Sequence, residues 1–231
     1  MSRFKEGGVV VVLSGGMDSA VLLYAALQEF EPPVLTVTFD YGQRHRKEIH
    51  CAVTLASGRS VENVRVDLSR AGAQVMGGSS QTDPNVPVPH GHYEDESMKQ
   101  TVVPNRNAIM LSLAMGLAIS RGINTVAYGA HSGDHAIYPD CRPEFVKAMQ
   151  QVGACCHYTQ VCIWTPFMAD DKAGICQAGI EMGVPFEKTW TCYEGGDVAC
   201  GKCGSCQERL EAFKVNGVED PIPYVEGVTH G

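Results

Sequence analysis

Two stretches of the sequence carry residue types and spacings that can do chemistry. The first is Leu13-Ser14-Gly15-Gly16-Met17-Asp18-Ser19, directly behind four consecutive valines, Val9 to Val12. The first backbone N–H groups of a helix lack intrahelical partners and lie at the positive end of its dipole, so a strand-to-helix turn here suits an anion. Gly15 and Gly16 let the backbone approach closely, Ser14 and Ser19 add hydroxyl donors, and Asp18 can hold a divalent cation that bridges phosphates. A plain tight turn, with Asp18 or Ser19 helping the helix start, uses the same residues. The second stretch holds Cys192, Cys200, Cys203 and Cys206 at C-x7-C-x2-C-x2-C spacing. Four thiolates separated by glycines fit a closed, structural tetrahedral zinc site, and closely spaced cysteines can also hold an iron–sulfur cluster.

Other candidates are scattered between these two. Arg106 stands at the predicted start of a helix, where the dipole disfavours a cation unless an anion binds there; a solvated arginine is the alternative. Gly129 to His135 and Tyr138 to Pro143 place Asp134, Tyr138, Asp140 and Arg142 behind a strand, together with His131 and His135. That clustering reads as a site more than a connector, although Asp140 could simply cap the following helix. Lys172 lies near another helix start, within reach of a phosphate. Cys141, flanked by Asp140 and Arg142, is expected to have a lowered pKa if the arginine lies close. Cys51, Cys162 and Cys176 read as small core residues, and Cys155-Cys156 as buried or incidental thiols. His90 and His92 lack a third ligand, so a solvated loop is preferred to a metal pair.

These side chains must be positioned by an alternating β/α chain. Val9 to Leu13, Val34 to Phe39, Val61 to Val66, Asn124 to Tyr128 and Tyr158 to Trp164 read as strands. Helical segments run from Ala20, Glu48, Ala108, Glu144 and Ala169. That order predicts right-handed crossovers and a parallel sheet with helices on both faces, whose ligands bind beyond the carboxyl ends of the strands. Residues 1–185 are expected to form the α/β domain, with 69–103 a long loop or lid, and 186–231 a small four-cysteine zinc-binding segment. The 231 residues suffice for this, and 44% hydrophobic with 19% charged residues is ordinary for a globular protein. The net charge of −8 argues against a nucleic-acid partner, with Arg44-His45-Arg46-Lys47 the one candidate basic patch. Ten cysteines, no membrane-spanning run and charged residues leading straight into the first strand point to a cytoplasmic protein with metal-binding or buried thiols.

Ser14 to Ser19 resembles SGGxDS, the pyrophosphate loop of the ATP pyrophosphatases. With it, TFDYGQRH (Thr38 to His45), VPNRN (Val103 to Asn107), YPDCRPEF (Tyr138 to Phe145), DKA (Asp171 to Ala173) and TCYEGGDVACGKCGSC resemble the 7-cyano-7-deazaguanine synthase family. The resemblance implies an adenine-nucleotide α-hydrolase-like (Rossmann-like) fold with a zinc-binding tail, commonly in a homodimer. It also implies the reaction. ATP adenylates the carboxylate of 7-carboxy-7-deazaguanine, ammonia makes the amide, and a second activation dehydrates it to the nitrile, with AMP and pyrophosphate released. By that resemblance Leu13 to Ser19 and Thr38, Phe39 and Asp40 bind ATP. Ser14, Asp18 with Mg2+, Ser19, Lys172 and Arg106 support catalysis. Arg106, Asp134, Tyr138, Asp140 and Arg142 hold the deazaguanine. The family usually has glutamine at Met17, glycine at Asn105, and C-E-T-D-F-S-G where this chain has His131 to Ile137. These departures keep open a relative that stops at the amide or conjugates the activated substrate to another amine, including one on a protein. A tRNA thiolation enzyme and a catalytically inert zinc-binding module are the remaining alternatives.

Overall fold

Four valines in a row need apolar cover on both faces, which a central parallel strand provides. In the computed structural model, which describes residues 5–228, five strands form one all-parallel sheet. They are β1 (Val9–Val12), β2 (Val34–Asp40), β3 (Glu62–Asp67), β4 (Thr125–Ala127) and β5 (Cys162–Trp164), in the order β3-β2-β1-β4-β5. Val9 pairs with Val34, and Val11 with Thr36 on one side and Ala127 on the other. The helices are α1 (Met17–Glu29), α2 (Lys47–Gly58), α3 (Ser69–Val75), α4 (Arg106–Ser120), α5 (Pro143–Cys155), α6 (Lys172–Glu181) and α7 (Gly204–Val215).

Alternation along β1 divides the core. Val9, Val11 and Leu13 pack with α1, α2, α6 and α7, while Val10 packs with β2, α4 and α5. The order reverses direction at β1, whose neighbours β2 and β4 lie on opposite sides, so the turns after β1 and β4 flank one crevice at the carboxyl edge. The α/β class with helices on both faces is as the sequence predicts.

Several local expectations are corrected. Residues 69–103 are not one open loop: α3 and a 3-10 turn at Glu96–Thr101 form within them, and Ser79, Ser80, Gln81, Met98 and Thr101 are buried. The fifth strand starts at Cys162, with Tyr158 fully exposed, and α6 starts at Lys172, where the Asp171 side chain accepts from the Gly174 N–H at 2.8 Å. Helix α7 is one the sequence reading does not contain. Cys162 is exposed because it opens the edge strand, and Cys155 and Cys156 are exposed as well, whereas Cys51 and Cys176 are buried. The Arg44–Lys47 run forms no basic patch. Arg44 donates to the Asp83 and Val86 carbonyls, His45 is buried, Arg46 pairs with Asp40, and Lys47 donates to the Asp197 carbonyl above the Trp190 ring. Among the described residues no helix is long and apolar enough to cross a membrane. The expectation drawn from residues 1–8 rests in part on 1–4, which lie outside the described residues.

Candidate active site

Leu13 ends β1 and the chain turns through Ser14-Gly15-Gly16 into α1. Gly15 has φ +96°, and a Cβ there would run into the Glu48 carbonyl, so glycine is required. The turn is knitted by its own hydroxyls: the Gly15 N–H donates to Ser19 Oγ at 3.1 Å, the Gly16 N–H to Ser14 Oγ at 3.2 Å, and Ser19 donates to the Gly16 carbonyl at 3.1 Å. The Trp190 N–H donates to the Gly15 carbonyl at 2.9 Å, tying the cysteine-bearing segment to this turn.

Beside the turn lies a cluster of charge. Lys172 Nζ, at the start of α6, is 2.7 Å from Asp18 Oδ2, 3.1 Å from Glu208 Oε2 on α7 and 3.2 Å from His131 Nε2. His131 Nε2 is 3.3 Å from Asp134 Oδ2. Burial alone would drive the lysine neutral, but Asp18, Glu208 and Asp134 outweigh it and hold Lys172 protonated well above its usual range. Burial likewise opposes ionisation of Asp18, and Lys172 and His131 reverse that, leaving its carboxyl below the ordinary value. Burial raises Glu208.

The same cavity, about 220 Å³, is walled further along by Tyr41, Gln81, Arg106, Asp134, Tyr138 and Tyr193. Arg106 opens α4 and donates to Gln81 Oε1 at 3.0 Å and to the Tyr41 hydroxyl at 3.4 Å. Tyr138 bonds Thr101 Oγ1 at 2.6 Å and Tyr193 at 3.4 Å. Burial pushes the Tyr41 hydroxyl up to about 12 and raises Tyr138 and Tyr193, so these phenols stay neutral donors.

Of the predicted site residues, Leu13, Ser14, Gly16, Met17, Asp18, Ser19, Phe39, Arg106, Asp134, Tyr138 and Lys172 line this one cavity. Others lie off its wall. Thr38 donates to the Leu13 carbonyl at 2.8 Å, supporting the turn from beneath, and Asp40 is bound by Arg46 and Arg65 at 2.6 and 3.0 Å. Asp140 accepts from the Asn107 N–H at 3.3 Å, serving the start of α4 and not of α5. Arg142 is exposed, and its guanidinium goes to the His135 and Ala136 carbonyls. Because Arg142 points away, Cys141 is not activated: burial beside Tyr128 raises its pKa well above the usual thiol value. Sequence reasoning missed Gln81, Tyr41, Tyr193 and Glu208 as wall residues. Glu208 had a signal in Cys206, Leu210 and Phe213, which stand at i, i+4 and i+7, the spacing of one helix face.

The four sulfurs of Cys192, Cys200, Cys203 and Cys206 lie within 4.8 Å of one another, with Cys200 and Cys206 3.9 Å apart. A tetrahedron of metal–sulfur bonds has edges of about 3.8 Å, so the arrangement fits a bound metal. N–H groups of Cys200, Lys202 and Cys203 point at Cys192 Sγ or Cys200 Sγ at 3.3–3.4 Å. The neighbouring thiols, with those N–H groups, hold Cys200 far below the usual thiol value. His90 and His92 instead face Glu194 and Glu211, at 3.0 and 4.0 Å.

A parallel sheet with a serine–glycine turn at its switch point, a buried lysine beside that turn and a thiolate metal segment define a nucleotide-binding fold of the pyrophosphate-loop type. The chain belongs to the QueC family, described as queuosine biosynthesis protein QueC, whose profile matches residues 8–217. Proteins named 7-cyano-7-deazaguanine synthase from Psychromonas ingrahamii and Alteromonas mediterranea are each 54% identical over 216 residues. The match covers 94% of this chain and 97% and 98% of those relatives. Among solved structures, the U34-tRNA thiolase NcsA of Methanococcus maripaludis, with its [4Fe-4S] cluster, superposes with a TM-score of 0.51 at 15% identity, covering 93% of this chain and 67% of that one. The NMN synthetase of Francisella tularensis gives 0.50 at 14%, covering 92% and 78%. At that identity the two structures speak to the fold alone.

Proposed function

We propose that this chain is a carbon–nitrogen ligase that converts 7-carboxy-7-deazaguanine and ammonia to 7-cyano-7-deazaguanine at the expense of ATP. The observation that carries it is the single cavity joining the Ser14–Ser19 turn and Lys172 to Arg106 and the three tyrosines; the family and its 54% identical relatives, named 7-cyano-7-deazaguanine synthase, support the product.

A carboxylate cannot expel oxide, so it must first be activated. The carboxylate oxygen attacks the α-phosphorus of ATP, the α–β bridging bond breaks, and pyrophosphate leaves. The growing negative charge falls on the turn at Ser14, Gly16 and Ser19 and on Lys172, which is protonated and already aimed at Asp18. Ammonia then adds to the acyl carbon and AMP departs, leaving the amide. A second ATP activates the amide oxygen, and loss of AMP with the two nitrogen protons gives the nitrile. Phe39 borders the nucleotide side. Arg106, fixed by Gln81 and Tyr41, offers a fork to the substrate carboxylate, and Asp134 and Tyr138 serve the guanine-type edge. Asp18, with one buried oxygen lacking a partner, suits Mg2+ travelling with the triphosphate.

In this reading Cys192, Cys200, Cys203 and Cys206 hold structural zinc, with four protein ligands and no open position for chemistry. All ten cysteines are free, which suits the reducing cytoplasm. The assembly is the homodimer implied by the family resemblance, testable by sedimentation velocity. The deciding experiment is mass spectrometry after incubation of the metal-loaded protein with 7-carboxy-7-deazaguanine, magnesium-ATP and an ammonium salt. Nitrile with AMP is the expected result; AMP with amide as the end product, or no deazapurine turnover, overturns it.

A further inference from the structure

The hydroxyl protons along the cavity wall can be placed by elimination. Thr101 Oγ1 lies 2.7 Å from the Met98 carbonyl oxygen. Two oxygens that close need a proton between them, and a carbonyl has none, so Thr101 gives its own. Thr101 Oγ1 is also 2.6 Å from the Tyr138 hydroxyl. With the threonine proton spent, the proton in this contact comes from Tyr138, a phenol that burial keeps neutral. The Tyr193 hydroxyl is 3.4 Å from that of Tyr138, and in that contact Tyr138 can only accept. This bond is long, so a ligand N–H takes its place at little cost. Thr101 sets the other half of the wall through its backbone. Its carbonyl accepts from Gln81 Nε2 at 2.9 Å, which fixes the two ends of the amide. Gln81 Oε1 therefore accepts from Arg106 Nη1 at 3.0 Å and from the Tyr41 hydroxyl at 3.4 Å. Thr101 and Gln81 are buried, and Gln81, Arg106 and Tyr138 line the cavity. The wall thus offers guanidinium donors at Arg106 and a hydroxyl acceptor at Tyr138.

We propose that Thr101 is a positioning residue that decides which base the cavity selects. By taking the Tyr138 proton it leaves the Tyr138 oxygen as an acceptor for the 2-amino group of a guanine-type base, while the carboxylate at the other end of that base lies toward Arg106. Thr101 does not itself line the cavity and acts only through Tyr138 and Gln81. The choice of base rests on the function proposed above; the direction of the Tyr138 proton does not. A phenolic proton lies in the plane of its ring and has two such positions. With valine at 101 nothing accepts the proton on that side, so it turns to the other, toward Tyr193 and the ligand. An incoming N–H group then meets a proton where it had met a lone pair, and a site built to accept from the amino group loses its preference for a base that carries one.

The test has a ligand-free arm and a binding arm, both on full-length protein with its cysteine metal in place. In the first, tyrosines labelled with carbon-13 at the hydroxyl-bearing carbon are read by NMR, and the Tyr138 signal is identified by its loss in Tyr138→Phe. Thr101→Val should move that signal upfield, because a phenol in a short donated bond carries part of the charge of a phenolate, and Thr101→Ser should return it. In the second, calorimetry compares 7-carboxy-7-deazaguanine with its analogue lacking the 2-amino group. The unaltered protein should prefer the amino form about five- to tenfold, the range for one neutral hydrogen bond. Thr101→Val should bring the two affinities within about twofold of each other, and Thr101→Ser should restore the preference. Circular dichroism and the metal content of the cysteine cluster check that each variant is folded. A Tyr138 signal that does not move upfield in folded Thr101→Val, or an equal loss of affinity for both bases there, overturns the proposal. If the unaltered protein binds neither base, the substrate reading fails, and the NMR signal alone decides whether Thr101 sets Tyr138.

Discussion

Lys172 is held by opposed carboxylates, which makes it both a structural and a chemical residue. Its ammonium touches Asp18 and Glu208, and in the proposed reaction it is a cation beside the turn that meets the charge of the leaving pyrophosphate. Lys172→Ala should lower the rate of AMP formation by about 10²–10³-fold, the range for losing one preorganised donor at a developing charge; a loss under threefold in a steady-state assay would place the lysine outside the reaction. Its folded pKa lies above the unfolded 10.5. The stability it contributes is therefore fully present below pH 10.5 and is lost as pH rises from there through the folded value. Thermal melts should show that alkaline limb, flattened in Lys172→Met, and an identical limb in both proteins would mean the cluster does not couple to folding. Arg106 was legible as a candidate, because a cation at a helix start is out of place; the structure sets it on the cavity wall, on Gln81 and Tyr41. Its partner Gln81 was not, since nothing in a polar stretch of glycines and prolines says which amide will be buried.

At the scale of elements, the turn into α4 explains a departure from the family pattern. Asn105 has φ 54°, the left-handed region that glycine enters freely and asparagine tolerates. Asn105→Gly should therefore leave urea stability within about 0.5 kcal/mol, whereas Asn105→Val should cost about 1–2 kcal/mol; equal midpoints for the two variants would remove this account. Helix α7 is fixed by a fork. Arg209 and Asp220 are both buried, with Nε–Oδ2 at 2.7 Å and Nη2–Oδ1 at 2.9 Å. Removing one partner strands the other, so Asp220→Ala should lose about 3–5 kcal/mol in chemical denaturation, and a loss below 1 kcal/mol would show that water reaches the arginine. The β-branched runs made the sheet readable, because a strand buried on both faces has no other composition. Helix α7 was hidden because its first residues also belong to the cysteine motif, so the ligand spacing masked the helical period that carries Glu208 into the cavity.

For the whole molecule, the segment after residue 185 is not an appendage, since it supplies Trp190, Tyr193 and Glu208 to the cavity wall. Its small core joins Cys192, Cys203 and Cys206 to Trp190, Val88 and Ile222. From there a short chain of bonds reaches the Ser14–Ser19 turn: the Trp190 indole donates to the Cys192 carbonyl at 3.1 Å, and the Trp190 N–H donates to the Gly15 carbonyl at 2.9 Å. A metal that closes four thiolates fixes the Cys192 end of this chain, and stripping it should be felt at the turn as well as at the cysteines. Hydrogen exchange before and after chelation is the measurement. Faster exchange at 192–206 together with faster exchange at 14–19 and weaker ATP binding is expected. If the cysteine segment opens while 14–19 keeps its protection, the metal serves only its own segment, and the turn is held by the sheet alone.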